Sequence, residues 1–232
     1  MIFLAIIQAR GGSKSVPLKN IKPLCGKPLL AYTIEVAQSC PALNRLIVST
    51  DHDKIARMAQ DLACEVMMRP SELATDEAST EEALIHVLDS LSQKEGYHPD
   101  VVLVLEPTSP LRTAETINKC IKILENCDAD SVIGVVETHS NYGQILNDRF
   151  QFFFPNQPRR RQDRKPIYKE SSTIYGIRTE VLKRKKSVLG DRLYPLIVPK
   201  IEAIDINDAL DFDLAEHFIK KGGINDKTHR PR

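Results

Sequence analysis

Two hydrophobic rhythms alternate along the chain. "IFLAIIQ" (residues 2–8) is a short, β-branched, nearly all-apolar run that stops at a glycine loop, and it predicts a strand buried on both faces of a parallel sheet. "PLLAYTIEVAQSCPA" (28–42) spaces Leu29, Tyr32, Ile34 and Val36 at roughly helical intervals, and "RLIVST" (45–50) is a second strand running into Asp51, which completes one strand–helix–strand unit. The alternation continues. "DKIARMAQDLA" predicts a helix, "EVMM" a strand, and "STEEALIHVLDSLSQKE" a helix opened by Ser79 with Glu82 at capping-box spacing. "DVVLVLEPTSP" reads as a central strand, "AETINKCIKILENC" as a helix and "ADSVIGVVE" as a further strand. "SSTIYGIRTEVL" and "YPLIVP" predict strands, and "IDINDALDFDLAEHFIKK" the last helix. The order predicts an α/β, Rossmann-like, doubly wound and mainly parallel sheet with helices on both faces, its site at the carboxyl ends of the strands.

From His139 to Lys169 neither rhythm holds. "DRFQFFFPNQPRRRQDRKP" mixes Phe150, Phe152, Phe153 and Phe154 with prolines and a basic cluster, so 139–169 is expected to be an irregular insertion in a single domain spanning 1–232. Such a segment is functional or an interface, because a solvated loop has no use for four phenylalanines.

Composition removes several classes of function. Lys plus Arg total 32 against 31 for Asp plus Glu, so no global basic field points to nucleic acid, and any anion site must be local. No apolar run approaches the roughly 18 residues of a membrane span, and the opening lacks a signal peptide's basic flank and cleavage site, so a cytoplasmic protein without membrane contact is expected. Five cysteines without a CxxC pair read as reduced packing residues, and six scattered histidines lack metal-ligand spacing.

The candidate chemistry starts in "ARGGSKSVPLKN" (9–20), straight after the first strand. Gly11 and Gly12 permit positive φ angles and close backbone approach, and Arg10, Ser13, Lys14 and Lys19 surround them, a combination suited to phosphate. Neither GxGxxG nor the GK[ST] ending of a P-loop is present, which excludes the usual NAD and ATPase signatures. In isolation a solvated glycine turn would explain the same residues.

The whole run resembles the N-terminal signature of the CMP-sialic acid synthetases (acylneuraminate cytidylyltransferases). "LIVSTD" (46–51), "RPSELATDEAST" (69–80), "EPTSPLR" (106–112), "RRRQDRKPIYKESSTIY" (159–175) and "IDINDALDFDLAE" (204–216) resemble that family's successive blocks in order, over nearly the full chain. The resemblance implies CMP transfer from CTP to the anomeric hydroxyl of an acidic nine-carbon α-keto acid sugar, with pyrophosphate leaving in line and Mg²⁺ as cofactor. It implies that Arg10 clamps the triphosphate, that Gly11, Gly12, Ser13 and Lys14 hold phosphate oxygens, that Lys19 faces the α-phosphate, and that Asn20, Arg69 and Thr80 serve the nucleoside. Sugar-binding roles fall by the same resemblance to Glu106, Arg161, Gln162, Lys169 and Tyr175, and metal roles to Asp205 and Asn207. The insertion would reach into a partner's site in a homodimer, with the phenylalanines as dimer contacts.

Three positions depart from the family's pattern. Glu106 stands where a glutamine is usual, Asn207 where an aspartate of "IDID" is usual, and Tyr142 near a common lysine. An ionised carboxylate at 106 accepts hydrogen bonds only, which suits a sugar with an additional amino or hydroxyl donor, such as a legionaminic-type acid. Glu106 is also a candidate base for the anomeric hydroxyl. Alternatives are a CMP-Kdo-type synthetase, disfavoured by "SKSVPLKN", a nucleotide-binding paralogue without catalysis, and a nicotinamide-dependent oxidoreductase.

Overall fold

Buried strands of this chain alternate with helices that cover the sheet, except after the seventh strand, and in a computed structural model describing residues 1–13 and 16–222 that alternation closes around a seven-stranded sheet. The elements in chain order are β1 (Phe3–Gln8), β2 (Pro23–Leu24), β3 (Lys27–Pro28), α1 (Leu29–Gln38), β4 (Arg45–Thr50), α2 (Asp53–Asp61), β5 (Glu65–Met68) and α3 (Thr80–Glu95). There follow β6 (Val101–Val104), α4 (Ala114–Asn126), β7 (Ser131–Thr138), β8 (Gly143–Leu146), β9 (Arg149–Phe152), β10 (Ile167–Arg178), α5 (Thr179–Lys185), β11 (Leu193–Ile197) and α6 (Ala209–Lys220). The sheet order is β11-β7-β10-β6-β1-β4-β5, parallel throughout except for β10, which is antiparallel to both β6 and β7.

Alternation along β1 sorts the core into two layers. Phe3, Ala5 and Ile7 face Leu30, Ile34, Ile55, Ile117 and Leu124 of α1, α2 and α4. Leu4 and Ile6 face Leu84, Leu88 and Leu91 of α3 and Val181 and Leu182 of α5. The predicted capping box at α3 is present, with the Ser79 hydroxyl accepting from the Glu82 N–H and the Glu82 carboxylate from the Ser79 N–H. A third, smaller cluster places Val16, Leu24 and Leu29 against Ile206, Phe212 and Ala215, so α6 props the loop after β1 against the segment around residue 206.

Three expectations need correction. "SSTIYGIRTEVL" is not one strand, because β10 ends at Arg178 and Thr179–Lys185 coil into α5, burying Val181 and Leu182. On α1 the fully buried stripe is Leu29, Leu30, Ala31, Thr33, Ile34 and Ala37, with Tyr32 and Val36 only partly covered. The segment 139–169 is not structureless: β8 and β9 form an antiparallel hairpin, and β10 already begins at Ile167. Arg164 fastens the stretch after the hairpin by donating to the carbonyls of Pro158 (2.8 Å), Arg159 (2.6 Å) and His139 (3.0 Å).

Candidate active site

The chain runs outward from β1 through β4 to β5 and then returns to the other side of β1 with β6, so the sheet's switch point lies between β1 and β6. Crevices at that point, beyond the carboxyl ends of the strands, take ligands in doubly wound sheets. Two clefts open there. One, of about 290 Å³, is lined by Gln8, Arg10, Arg69, Asp76 and Thr80 among others, and one of about 330 Å³ by Glu170, Ser172, Tyr175, Asp205 and Asn207 among others. Glu106 and Thr80 line both. A larger cavity of about 500 Å³ lies at the opposite ends of the strands, around Met1, His98 and Arg178, away from these groups.

The loop after β1 is held by its neighbours rather than by glycine torsions. Neither Gly11 nor Gly12 has a positive φ, which corrects the expectation; among the described residues of the loop it is Leu18 that is left-handed, at φ 49°, immediately before the 3-10 turn Lys19–Ile21. Gly11 instead lacks a side chain because a Cβ there would lie 2.6 Å from Cδ2 of the His52 ring. Its N–H donates to Asp51 Oδ1 at 2.9 Å, so the aspartate ending β4 anchors the loop. Asn20 is buried and donates to the Arg10 carbonyl at 3.0 Å, closing the loop from its other end. Gly12 faces open space, Ser13 is half-buried, and Lys14 lies outside the described residues.

Arg10 and Arg69 line the first cleft, whereas Lys19 lines neither but lies within electrostatic reach of Glu106 and Asp205. Arg10 pairs with Asp76 at 2.9 Å and donates to the Thr75 carbonyl at 3.2 Å. The pair is well exposed and therefore weak enough for a competing anion to displace. Lys19, half-buried, donates to the Ile206 carbonyl at 2.8 Å. Burial holds its ammonium below the usual lysine range, against the opposing pull of Asp205, Asp211 and Glu106. Arg69 is only 7% exposed; it donates to the carbonyls of Ser49 (2.6 Å) and Leu73 (3.4 Å), and its Nε has no hydrogen-bond partner. Thr80 is the first residue of α3, and Gln8 donates to its carbonyl at 2.9 Å.

Glu106 sits where the clefts meet. Burial pushes its carboxyl up to about 7, Asp205 pushes the same way, and Arg112, Arg69 and Lys19 pull against them. Tyr175, on β10 opposite Val104, donates to Glu170 Oε1 at 2.7 Å, and burial raises its phenol well above the ordinary tyrosine value. Asp205 Oδ2 accepts from the Asn207 amide at 2.9 Å, whereas Asp205 Oδ1 is buried without a partner. Among the described residues no three His, Cys, Asp or Glu side chains form a metal cluster, so this pair could serve a cation only together with ligand oxygens. Asp205 and Asn207 fit Mg²⁺ in that mode, since the ion commonly takes one or two carboxylates beside phosphates and water.

Arg161 and Gln162, on the exposed 3-10 turn Arg161–Asp163, and Lys169, exposed on β10, line neither cleft in the single chain. Reading the chain alone gave no individual part to Gln8, Asp51, His52, Asp76, Arg112, Glu170 or Ser172. Asp51 carried a signal in its place at the end of a predicted strand, and Arg112 in closing the block "EPTSPLR".

A sequence model described as cytidylyltransferase matches residues 4–209. The chain is 31% identical over 217 residues to an N-acylneuraminate cytidylyltransferase of Escherichia coli, covering 91% of this chain and 51% of the relative. It is 32% identical over 227 residues to a CMP-N,N'-diacetyllegionaminic acid synthase of Legionella pneumophila, covering 95% and 97% respectively. The chain thus spans about half the length of the former and nearly all of the latter. Among solved structures it resembles a CMP:2-keto-3-deoxy-manno-octonic acid synthetase complexed with CTP, with a TM-score of 0.71 at 14% identity over 96% of this chain and 100% of that one. It also resembles a 4-diphosphocytidyl-2C-methyl-D-erythritol synthase from Anaerococcus prevotii, with a TM-score of 0.68 at 15% identity over 94% and 96%. At these identities the two structures establish the shared fold.

Proposed function

The chain belongs to the cytidylyltransferase family, and from that premise we propose that it transfers CMP from CTP to the anomeric hydroxyl of a sialic-acid-like α-keto acid sugar, releasing pyrophosphate. One observation carries the reading: a cation-lined cleft and a carboxylate- and tyrosine-lined cleft meet at Glu106 on the switch point. The first suits the nucleotide, with the Arg69 guanidinium on its lining suited to the base or ribose and Arg10 to phosphate. The second suits the sugar. The anomeric oxygen bonds to the α-phosphorus, the bond from that phosphorus to the bridging oxygen breaks, and pyrophosphate leaves with the electron pair. Lys19, electrostatically coupled to Arg10, Glu106 and Asp205, neutralises charge as it builds on the α-phosphate. Glu106, which lines both clefts, would receive the hydroxyl proton.

Asp205 and Asn207 would hold Mg²⁺, which when bound supplies charge neutralisation to the triphosphate oxygens. For the acceptor we favour a sugar bearing a donor toward Glu106, a legionaminic-type acid rather than N-acetylneuraminic acid; the end-to-end similarity to the Legionella relative supports this choice. The β8–β9 hairpin and the residues after it expose Ile145, Phe150, Phe152, Phe153 and Phe154, with the Phe150 and Phe152 rings packed edge to face at 5.0 Å. A patch of this kind supports a homodimer in which the hairpin is covered and Arg161, Gln162 and Lys169 complete the partner's sugar cleft. All five cysteines are free thiols, which accords with a reducing, cytoplasmic setting.

The test is pyrophosphate release with CTP held constant and the acceptor varied among legionaminic-type, sialic and eight-carbon keto acids. Release that depends on a nonulosonic acid is expected. Clear preference for N-acetylneuraminic acid would overturn the acceptor choice, and no release with any keto acid would overturn the activity.

A further inference from the structure

Arg112 is 2% exposed and lines neither cleft, yet two of the three acceptors of its guanidinium belong to segments that wall the second one. Its Nη2 donates to the Glu106 carbonyl at 2.6 Å, its Nε to the Thr173 carbonyl at 2.5 Å, and its Nη1 to the Thr33 hydroxyl on α1 at 3.3 Å. Burial lowers its pKa to about 10, with Glu106 and Glu202 pulling the other way. No carboxylate oxygen of the described residues lies in ion-pair contact with it. A buried cation left without a carboxylate partner is costly.

The Thr173 carbonyl has a particular origin. Pairing of β10 with β7 is broken between Glu170 and Tyr175, where the register shifts, so this stretch loses regular ladder partners. Around the bulge, Ser171 and Thr173 bond each other through their hydroxyls at 2.6 Å, and Thr173 Oγ1 donates to the Glu202 carbonyl at 3.1 Å. Gly134 of β7 leaves room for it, since a Cβ there would come within 3.3 Å of the Ser171 and Ile174 carbonyls. The bulge is also what presents Glu170, Ser172 and Tyr175 to the second cleft. Arg112 therefore ties one wall of that cleft, the β10 bulge, to the other, the backbone of Glu106.

We propose that Arg112 is a positioning residue that sets the spacing between Glu106 and the β10 bulge, and hence the fit of the acceptor sugar. The inference rests on the reading of the second cleft as the acceptor site. Its test is Arg112→Lys, a cation that cannot span three acceptors held in a planar fork. The measurements are steady-state kinetics with both substrates varied, together with calorimetric CTP binding. Displacing one wall by a fraction of an ångström should raise KM for the sugar about tenfold or more, while the Kd for CTP stays within about twofold. Thr33→Val removes one of the three acceptors at nearly constant volume and should move the same parameter in the same direction by less, which keeps the test available should Arg112→Lys fold poorly. Unchanged sugar KM in both variants, or a parallel loss of CTP affinity, would overturn the positioning role while leaving the proposed activity intact. A wild-type protein that binds CTP but releases pyrophosphate with no keto acid would overturn both.

Discussion

A carboxyl group that titrates near 7 in the folded chain and near 4.5 when unfolded destabilises that chain at physiological pH, and Glu106 is such a group. At or below pH 4.5 both states are protonated and the group contributes nothing to the difference. Between 4.5 and 7 the folded chain retains a proton that the unfolded chain has released, so stability falls as pH rises. Above 7 the loss is complete. At about 1.4 kcal/mol for each pH unit across that interval the loss reaches about 3 kcal/mol. Glu106 keeps one edge toward the clefts, and solvent there reduces the expected figure to about 1–3 kcal/mol. Glu106→Gln keeps the shape and cannot ionise, so it should abolish the dependence. Urea denaturation and thermal melts at pH 4.5 and pH 8, without CTP and with a chelator so that no bound cation stabilises the carboxylate, measure it directly. Wild type and variant should be nearly equal at pH 4.5. At pH 8 the variant should melt roughly 2–12 °C higher, since 1 kcal/mol is worth about 2–4 °C in a domain of this size. A variant less stable than wild type at pH 8, or a difference the same at both pH values, would show that burial does not raise the Glu106 pKa. A gain in stability coupled to a loss of turnover is the signature of a group kept for chemistry at the expense of folding.

Lys19→Met should lower kcat at saturating substrates by about a hundredfold or more while CTP binding changes less, because the lost charge matters most as the α-phosphate reacts; a kcat within about threefold of wild type would remove Lys19 from the reacting centre. Gly11→Ala should weaken CTP binding by about tenfold as the new Cβ is driven off the His52 ring and strains the bond from Gly11 N–H to Asp51, and the loss should shrink in a His52→Ala background, which calorimetry on the double-mutant cycle would show. Phe150→Ser with Phe152→Ser should shift sedimentation velocity from dimer to monomer with little change in melting temperature, since both rings are exposed in the single chain. Asp205→Asn should raise the Mg²⁺ concentration for half-maximal activity several-fold by removing the one carboxylate of the pair, and an unchanged requirement would place the ion elsewhere.

What could be read from the chain and what could not divide along a physical line. Strands buried on both faces and long helices announce themselves locally, and β1, β4, β5 and α3 with its cap lie where the pattern put them. The β8–β9 hairpin carried no such signal, because both its faces are exposed in the single chain and no alternation of burial was needed. Seven-residue α5 is too short for a period to emerge beside β10. Strand direction leaves no mark on hydrophobicity either, so the antiparallel β10 could not be told from its parallel neighbours. The chemistry of the loop after β1 was visible as residue types, but its construction was not: His52 fills the space beside Gly11, Asp51 takes its N–H, and Asn20 takes the Arg10 carbonyl. Arg112 was the least legible of all, since its partners Thr173 and Thr33 lie 61 and 79 residues away.

Among the described residues, several buried or half-buried charged groups gather at the clefts. Arg69 is buried with an orphan Nε, Asp205 with an orphan Oδ1, the Lys19 ammonium is desolvated, and Glu106 is held up near 7, all around the two clefts at one switch point. Each costs free energy on folding, and none belongs to the three apolar clusters. A bound triphosphate and its cation would supply the missing partners at once: anionic oxygens for Lys19 and Arg10, a positive charge for Asp205. On this argument CTP with Mg²⁺ should stabilise the fold by more than either alone. On the proposed function, the nucleotide and its cation would thus complete the electrostatics of the site.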